Sequence, residues 1–165
     1  MSFVARPARL EDAAAIAAIY NEGIADRVAT FETEPRSAGQ VAGWFDRRHP
    51  IVVVEKDVAI IAFAAGSSYR RRDCYVGIAE FSVYVARGHR GSGAGSTAMA
   101  ALIEAATAAG FWKLVSRVFP ENAASLALMA RMGFREVGMY RRHGRLDGQW
   151  RDCVIVERLI GDAVT

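Results

Sequence analysis

The sequence has little cysteine and no long apolar run. Its two cysteines, Cys74 and Cys153, show neither ligand spacing nor a pairing pattern, so neither a metal site nor a disulfide is predicted. No apolar segment is long enough to cross a bilayer, and residues 1–15 lack the charged start, apolar stretch and cleavage site of a signal peptide. We therefore expect a cytoplasmic protein with no membrane partner.

Linkers, internal repeats and low-complexity segments are also missing from the 165 residues. The composition, 52% hydrophobic and 24% charged, is typical of a globular protein, and the length predicts one domain spanning residues 1–165. The net charge of +3 is too small an excess to indicate a nucleic-acid partner. Arginine clusters at 70–72, 87–90 and 141–145 suit either a small anionic ligand or solvated loops.

Apolar patterns along the chain predict one mixed sheet with helices on both of its faces. Helices are expected after Asp12 and Ser37, the second reaching toward His49, then before Gly110 and from Asn122 to Gly133. The last two strands are joined by a turn within residues 144–148. The strand patterns cover residues 3–8, 51–55, 58–66, 75–86, 111–119, 134–142 and 150–159.

A glycine-rich stretch, RGHRGSGAGS at residues 87–96, lies between a strand pattern and a helix pattern. Gly91, Gly93 and Gly95 alternate with small residues. Without β-carbons in the way, successive backbone N–H groups can converge on an anion at the positive end of the helix dipole. The stretch therefore predicts a site for a phosphate or pyrophosphate.

Two nucleotide-binding motifs fit this stretch poorly. A Walker A loop ends in Gly-Lys-Ser/Thr, and the stretch contains no lysine. The dinucleotide fingerprint fits Gly93, Gly95 and Ala98 in spacing, but these glycines lie several residues beyond the preceding strand. In addition, the strand at 111–119 ends without the acidic residue that would hold a ribose. For the stretch alone, a plain helix-starting turn remains an alternative.

The hexapeptide at residues 90–95 resembles the Arg/Gln-x-x-Gly-x-Gly/Ala signature of the GCN5-related N-acetyltransferases (GNAT). Asn122 and Ser125 match that family's Asn-x-x-Ser element on the coenzyme A side. Four further stretches are similar to the phosphinothricin acetyltransferase branch, so that the likeness extends over nearly the whole chain. They are IYNEGI at 19–24, TFETEPR at 30–36, YRRRDCYVGIAEFSVYV at 69–85 and GQWRDCVI at 148–155.

The resemblance implies the GNAT fold, an α/β (mixed α+β) architecture with a mostly antiparallel sheet of about seven strands flanked by four helices. It implies acetyl-coenzyme A as co-substrate, with its pyrophosphate on the glycine-rich stretch and its pantetheine arm beside strand backbone N–H groups. By analogy it also implies a homodimer, to which Trp150 and Asp152 of the closing W-x-D contribute either a contact or strand organisation. The implied cofactor-binding residues are Val83, Tyr84, Val85, Arg90, Gly91, Ser92, Gly93, Ala94, Gly95, Ser96, Asn122 and Ser125.

The implied acceptor is the α-amine of a small amino-acid-like molecule of the phosphinothricin, methionine sulfone or methionine sulfoximine type. Phe31, Arg72 and Tyr75 match the branch's acceptor positions, and a guanidinium can hold a carboxylate or phosphinate by two hydrogen bonds. Arg70 and Arg71 could share this role, and solvated loop charge is the alternative for all three arginines. A protein N-terminus, a polyamine or an aminoglycoside is the alternative acceptor, and a non-catalytic acetyl-coenzyme A-binding module the alternative function.

Glu80 is the predicted general base. It lies in an apolar strand on the same face as Ser82 and Tyr84, where removal from water would raise the pKa of a carboxyl group toward that of a useful base. Its position matches the glutamate that serves as the base in the family. The alternative for Glu80 is an ion pair with a nearby arginine.

Met129 departs from the branch, which usually has histidine here, and from the wider superfamily, which often has tyrosine. A thioether cannot donate a proton to a leaving thiolate. Either the thiolate leaves without a protein acid, or Tyr140, His143 or water supplies the proton. The simpler interpretation is that Met129 packs in the apolar stripe of its helix.

Overall fold

The computed structural model describes residues 2–164, which form one seven-stranded sheet in the order β1-β2-β3-β4-β5-β7-β6. All neighbouring strands are antiparallel except β4 and β5, which are parallel. The predicted mostly antiparallel mixed sheet is therefore confirmed. The strands are β1 Val4–Pro7, β2 Ile51–Lys56, β3 Ala59–Ser68, β4 Ile78–Val85, β5 Lys113–Val118, β6 Arg135–Leu146 and β7 Gln149–Leu159.

Within residues 2–164, four α-helices accompany the sheet: α1 Ala13–Asp26, α2 Ala38–Ala42, α3 Ala94–Ala108 and α4 Ala123–Arg131. Helix α2 is shorter than predicted. Ser37 and Gln40 form a capping box at its start, but the helix ends at Ala42, and turns lead from there to His49. Among the residues described, none of the helices combines the length and the apolarity needed to span a bilayer.

The sheet separates two hydrophobic clusters. On one face, Ile16 and Tyr20 of α1 pack with Phe63 and Tyr84 of the sheet. On the other face, side chains of α3 and α4 pack with Phe81 and its neighbours. Because successive strand residues point to opposite faces, Glu80, Ser82 and Tyr84 share the α1/α2 face, whereas Phe81 and Val83 share the α3/α4 face.

Strands β4 and β5 are paired over only part of their length. Their register pairs run from Ile78 with Lys113 to Glu80 with Val115. Beyond Glu80, β4 remains paired with β3 as far as Val85. The two parallel strands therefore separate in the middle of the sheet, and the gap positions the site described below.

The β6–β7 hairpin differs from its prediction. Strand β6 continues to Leu146, and the turn consists of Asp147 and Gly148 alone, with φ of 51° and 77°. Two central residues with positive φ are characteristic of the type I′ turns that join twisted antiparallel strands. Earlier in β6 the register shifts between Tyr140 and Gly144, and the backbone N–H of Arg142 donates to Asp152 Oδ1 at 2.6 Å. Asp152 thus organises the last two strands.

Candidate active site

A cleft of about 860 Å³ lies where β4 and β5 separate. Its walls are the second half of β4, the end of β5, the start of α4 and the glycine-rich stretch. Ser92 and Ala94 do not contribute side chains to the lining, because the Ser92 hydroxyl donates to the carbonyl of His89 and Ala94 is buried in the core. The other predicted cofactor-binding residues line it: Val83, Tyr84, Val85, Arg90, Gly91, Gly93, Gly95, Ser96, Asn122 and Ser125.

The glycine-rich stretch has the backbone conformation that an anion cradle requires. Gly91 and Gly93 have φ of 78° and 93°, a region that side chains with a β-carbon rarely occupy. A β-carbon at Gly95 would lie 3.2 Å from Leu128 Cδ2 of helix α4. Helix α3 begins at Ala94, directly after Gly93, so its free N–H groups face the same space. These residues therefore fit a pyrophosphate.

Arg90 connects this stretch to the end of helix α1. Its guanidinium lies 2.6 Å from Asp26, and Arg87 donates to the same carboxylate at 2.9 Å. Hydrogen bonds from Arg87 and Arg90 hold the pKa of Asp26 below its usual range. Arg87 also lies 4.0 Å from Glu22, and its backbone N–H donates to that carboxylate at 2.8 Å, so two carboxylates of α1 hold the two arginines beside the cradle.

Strand β4 presents an unpaired backbone edge to the cleft. The Ser116 hydroxyl donates to the carbonyl of Phe81 at 2.9 Å, and Arg90 Nε lies 3.4 Å from the carbonyl of Val85. Because backbone groups alternate in direction along a strand, Val83 also faces the cleft, whereas the backbone of Tyr84 faces β3. Of the three predicted backbone positions, Val83 and Val85 are therefore the ones whose N–H groups are directed into the cleft.

Asn122 begins helix α4 at the far wall of the cleft. Its Oδ1 accepts from the backbone N–H of Ser125 at 3.2 Å, and its Nδ2 donates to the carbonyl of Val28 at 3.3 Å. One side chain thus caps α4 and holds the segment after α1, which also lines the cleft. The Asn-x-x-Ser pattern has a local structural cause, since the asparagine caps the helix that carries the serine.

Glu80 belongs to the last β4–β5 pair and adjoins the cleft without lining it, since its neighbour Phe81 and its partner Arg117 are lining residues whereas Glu80 is not. Its carboxylate forms an ion pair with Arg117 of β5 at 3.1 Å, and 29% of the side chain is exposed. The expectation of apolar surroundings was therefore wrong, and the alternative, an ion pair with an arginine, is present. Arg117 was not a sequence candidate, because only the β4–β5 register brings it beside Glu80.

The predicted acceptor residues lie in two groups. Arg72 is exposed with its guanidinium 6.0 Å from the ring of Tyr75, and Tyr75 packs edge-on against Tyr69. Arg70 lies over the Tyr69 ring at 4.8 Å. The Tyr69 hydroxyl raises the pKa of Arg70 most, and the charges of Tyr140 and Glu80 add smaller contributions.

Phe31 belongs to the second group, which packs around the end of β5. Its ring lies 5.0 Å from that of Phe119, a residue of the cleft wall, and it packs with Leu146 and Cys153. A β-carbon at Gly144 would lie 2.7 Å from the ring, so the glycine provides the space for it. Phe31 therefore supports the wall of the cleft from the α1/α2 connection.

Met129 lines the cleft but is 2% exposed and part of the α3/α4 core. This agrees with a packing role. Tyr140 and His143, the predicted substitutes for a missing acid, stack on each other at 4.7 Å on exposed β6. Neither is among the residues that form the cleft.

Known proteins resemble this chain in sequence and in structure. A family model described as the acetyltransferase (GNAT) family matches residues 16–134. An L-methionine sulfoximine/L-methionine sulfone acetyltransferase of Pseudomonas aeruginosa is 32% identical over 162 residues, covering 95% of this chain and 94% of its own length. A phosphinothricin N-acetyltransferase of Streptomyces coelicolor is 33% identical over 161 residues, covering 93% and 94%.

A solved structure extends the comparison to the fold. The phosphinothricin acetyltransferase of Sinorhizobium meliloti, a GNAT superfamily protein determined in complex with acetyl-coenzyme A, superposes with a TM-score of 0.91 at 30% sequence identity. The match covers 98% of this chain and 90% of that one. The fold of this chain is thus shared with a protein that was solved in complex with acetyl-coenzyme A.

Proposed function

The chain belongs to the acetyltransferase (GNAT) family and is an N-acetyltransferase, and we propose that it acetylates the α-amine of a small amino-acid-like acceptor. The observation that carries the proposal is the combination at the β4–β5 separation. An anion cradle and a free backbone edge line one cleft there, and the Glu80 carboxylate lies next to it, paired with Arg117 of the lining. These are the three elements that transfer from a large anionic thioester to an amine requires.

Acetyl-coenzyme A, when bound, supplies an acyl thioester with a carbonyl carbon that an amine can attack. The backbone N–H groups of the stretch from Arg90 to Ser96 would hold its pyrophosphate, with the α3 dipole and Arg90 contributing positive charge. Asn122 and Ser125 would contact the cofactor from the opposite wall. The N–H of Val83, directed into the cleft, would donate to the carbonyl oxygen as negative charge develops on it.

Glu80 is the proposed base. In the transfer the amine nitrogen forms a bond to the acyl carbon, the bond from that carbon to sulfur breaks, and the amine proton passes to Glu80 directly or through water. Arg117, which lines the cleft, pairs with the carboxylate and fixes its position beside the cleft. Since Met129 has no proton to give, we assign protonation of the thiolate to water.

Arginines on the acceptor side favour an anionic amino acid over a polycation. Arg70 and Arg72, with Tyr69 and Tyr75, form an exposed cluster directly after β3, and Ser67 of β3 is paired with Glu80. A guanidinium of this cluster would bind the acceptor's α-carboxylate. Polyamines and aminoglycosides would meet repulsion there, so the named relatives' substrate types are the better candidates.

We also propose that the protein acts as a homodimer in the cytoplasm. Strand β6 is the edge of the sheet and exposes Met139 and Tyr140, while Trp150 of β7 is exposed farther along the hairpin, opposite Arg145; each of the three is about half exposed. An apolar strip on an edge strand is suited to pairing with a second copy. Asp152 accepts a hydrogen bond from the backbone N–H of Arg142 in the same hairpin.

The proposal is tested by incubating the purified protein with acetyl-coenzyme A and a panel of amines, with release of free thiol and acetylated product both measured. Phosphinothricin, methionine sulfone and methionine sulfoximine form the panel, and spermidine and an aminoglycoside are the cationic controls. Turnover confined to the amino-acid panel is expected, and the Arg72→Ala variant should raise the KM for the amino acid more than it lowers kcat. Calorimetric binding of acetyl-coenzyme A without transfer to any amine would identify a non-catalytic module instead.

A further inference from the structure

A second cavity, of about 370 Å³, lies on the α1/α2 face of the sheet. Three serine hydroxyls, two aromatic rings and one carboxylate contribute to its lining. These residues are Tyr20, Trp44, Asp46, Ser67, Ser68 and Ser82. Ser82 also lines the 860 Å³ cleft, so the two cavities meet at this residue.

The strand register places the cavity beside the proposed base. Ser67 of β3 is the partner of Glu80, and Ala65 is the partner of Ser82. Glu80, Ser82 and Ser67 share the α1/α2 face, so an acceptor held near Ser82 would have both Glu80 and the second cavity on that face, with the cleft adjoining at Ser82. The arginine cluster at 70–72 follows directly after Ser68 and is available for the α-carboxylate.

We propose that this cavity holds the side chain of the acceptor amino acid and selects an uncharged polar side chain over an anionic one. The inference rests on the proposed function, since it assigns a subsite to that reaction. The proposed subsite predicts which of the two kinds of acceptor named for the relatives is preferred, because methionine sulfone has an uncharged side chain and phosphinothricin has a phosphinate.

The chemistry of the lining supports this selectivity. The Tyr20 and Trp44 rings meet edge-on at 5.4 Å and form an apolar wall, while the serine hydroxyls can donate to sulfone or sulfoximine oxygens. Among the residues described, no lysine or arginine contributes to the lining. A phosphinate in the cavity would therefore meet no cationic side chain of the lining.

Asp46 adds repulsion at the rim of the cavity. Its carboxylate accepts hydrogen bonds from the backbone N–H groups of Arg48 and His49, at 2.9 and 2.7 Å, and lies 2.5 Å from His49 Nδ1. Burial alone would raise the pKa of Asp46, but these hydrogen bonds lower it to about 2. The carboxylate is thus charged at every pH at which the enzyme would be assayed.

The experiment compares kcat/KM for methionine sulfone, phosphinothricin and alanine, the last having almost no side chain to place in the cavity. The wild-type protein should prefer methionine sulfone to phosphinothricin by about tenfold or more. Ser67→Leu, which fills the cavity, should lower kcat/KM for methionine sulfone about tenfold and leave alanine and the KM for acetyl-coenzyme A little changed. Asp46→Asn, which keeps the backbone hydrogen bonds, should raise kcat/KM for phosphinothricin about threefold.

The outcomes separate the two proposals. A wild-type preference for phosphinothricin, or equal losses for methionine sulfone and alanine in Ser67→Leu, overturns the cavity assignment and leaves the acetyltransferase function standing. Absence of transfer to all three amino acids by the folded wild-type protein overturns both. The wild-type comparison needs no variant, so poor folding of Ser67→Leu cannot hide the result.

Discussion

The hydroxyl of Ser116 donates a hydrogen bond of 2.9 Å to the carbonyl of Phe81, one residue beyond the last β4–β5 pair. The Ser116 hydroxyl takes the place of the backbone N–H that would bond to this carbonyl if the β4–β5 pairing continued. The carbonyl is satisfied although the strands separate, and the next inward-facing residue of β4, Val83, keeps its backbone free. Ser116 therefore marks the apex of the cleft.

Ser116→Ala should leave the Phe81 carbonyl without this partner and lower the free energy of unfolding by about 1 kcal/mol. The same change should raise the KM for acetyl-coenzyme A several-fold, because the Ser116–Phe81 hydrogen bond holds the segment of β4 that carries the free backbone N–H of Val83. Urea unfolding and steady-state kinetics measure the two effects. Ser116→Thr keeps a hydroxyl and is the matched control; identical behaviour of the two variants would remove the role assigned to the hydrogen bond.

Comparing Gly88 with Gly91, two glycines of the same loop, distinguishes the effect of backbone conformation from the effect of steric crowding. At Gly91 and at Gly88 alike, a β-carbon would meet nothing within 4 Å, but only Gly91 has a positive φ, of 78°. Gly91→Ala should therefore strain the cradle, at a cost of about 1 kcal/mol, and weaken acetyl-coenzyme A binding by about tenfold. Gly88→Ala should bind normally in calorimetry, and a loss of the same size in both variants would contradict the conformational explanation.

Features that depend on neighbouring residues were predictable from the sequence. Alternating and helical apolar patterns placed the strands and helices, and the anion cradle followed from glycine spacing before a helix, because a helix start and its glycines are local. Asn122 was identifiable for the same reason, since it caps the helix that carries Ser125.

Features that depend on contacts between distant segments were not predictable. Arg117 meets Glu80 across 37 residues, through a parallel register that no local pattern encodes. His49, adjacent to a proline, has a side chain only 7% exposed that packs against Phe111. The serine that ends the β4–β5 pairing has no sequence signature either, since an isolated serine in a strand is common.

Glu80→Gln removes the charge of the proposed base and keeps its shape. We expect kcat to fall by about 100-fold or more while acetyl-coenzyme A binding, measured by calorimetry, stays within twofold. Asp147→Asn is the control, because Asp147 is also ion-paired with an arginine, Arg27 at 2.8 Å, but lies in the β6–β7 turn. Equal activity of the two variants would exclude Glu80 as the base.

The exposed strip of β6 and β7 gives the dimer proposal a direct test. Met139→Glu puts a charge in the middle of the strip, so the protein should elute as a monomer in size-exclusion chromatography with light scattering, whereas the wild type elutes as a dimer. Val58→Glu is the control, since Val58 is 91% exposed on the β2–β3 turn. A monomeric wild-type protein would refute the dimer.

Asp12 should contribute strongly to stability, and its contribution should disappear in acid. Its carboxylate is buried and accepts hydrogen bonds from both terminal nitrogens of Arg6, at 2.7 and 3.0 Å, which hold its pKa below the usual range although burial opposes this. The folded state thus favours the ionised form, so the stabilisation is complete above the unfolded pKa of about 3.9 and is lost as the pH falls through the lower folded pKa.

Asp12→Asn should lower the free energy of unfolding by about 3 kcal/mol at pH 7 and by much less at pH 2 to 3. The control is Glu11→Gln, at a position 70% exposed, which should lower it by under about 0.5 kcal/mol at either pH. Urea unfolding at both pH values measures this difference, and an Asp12→Asn cost independent of pH would show that the ion pair is not its source.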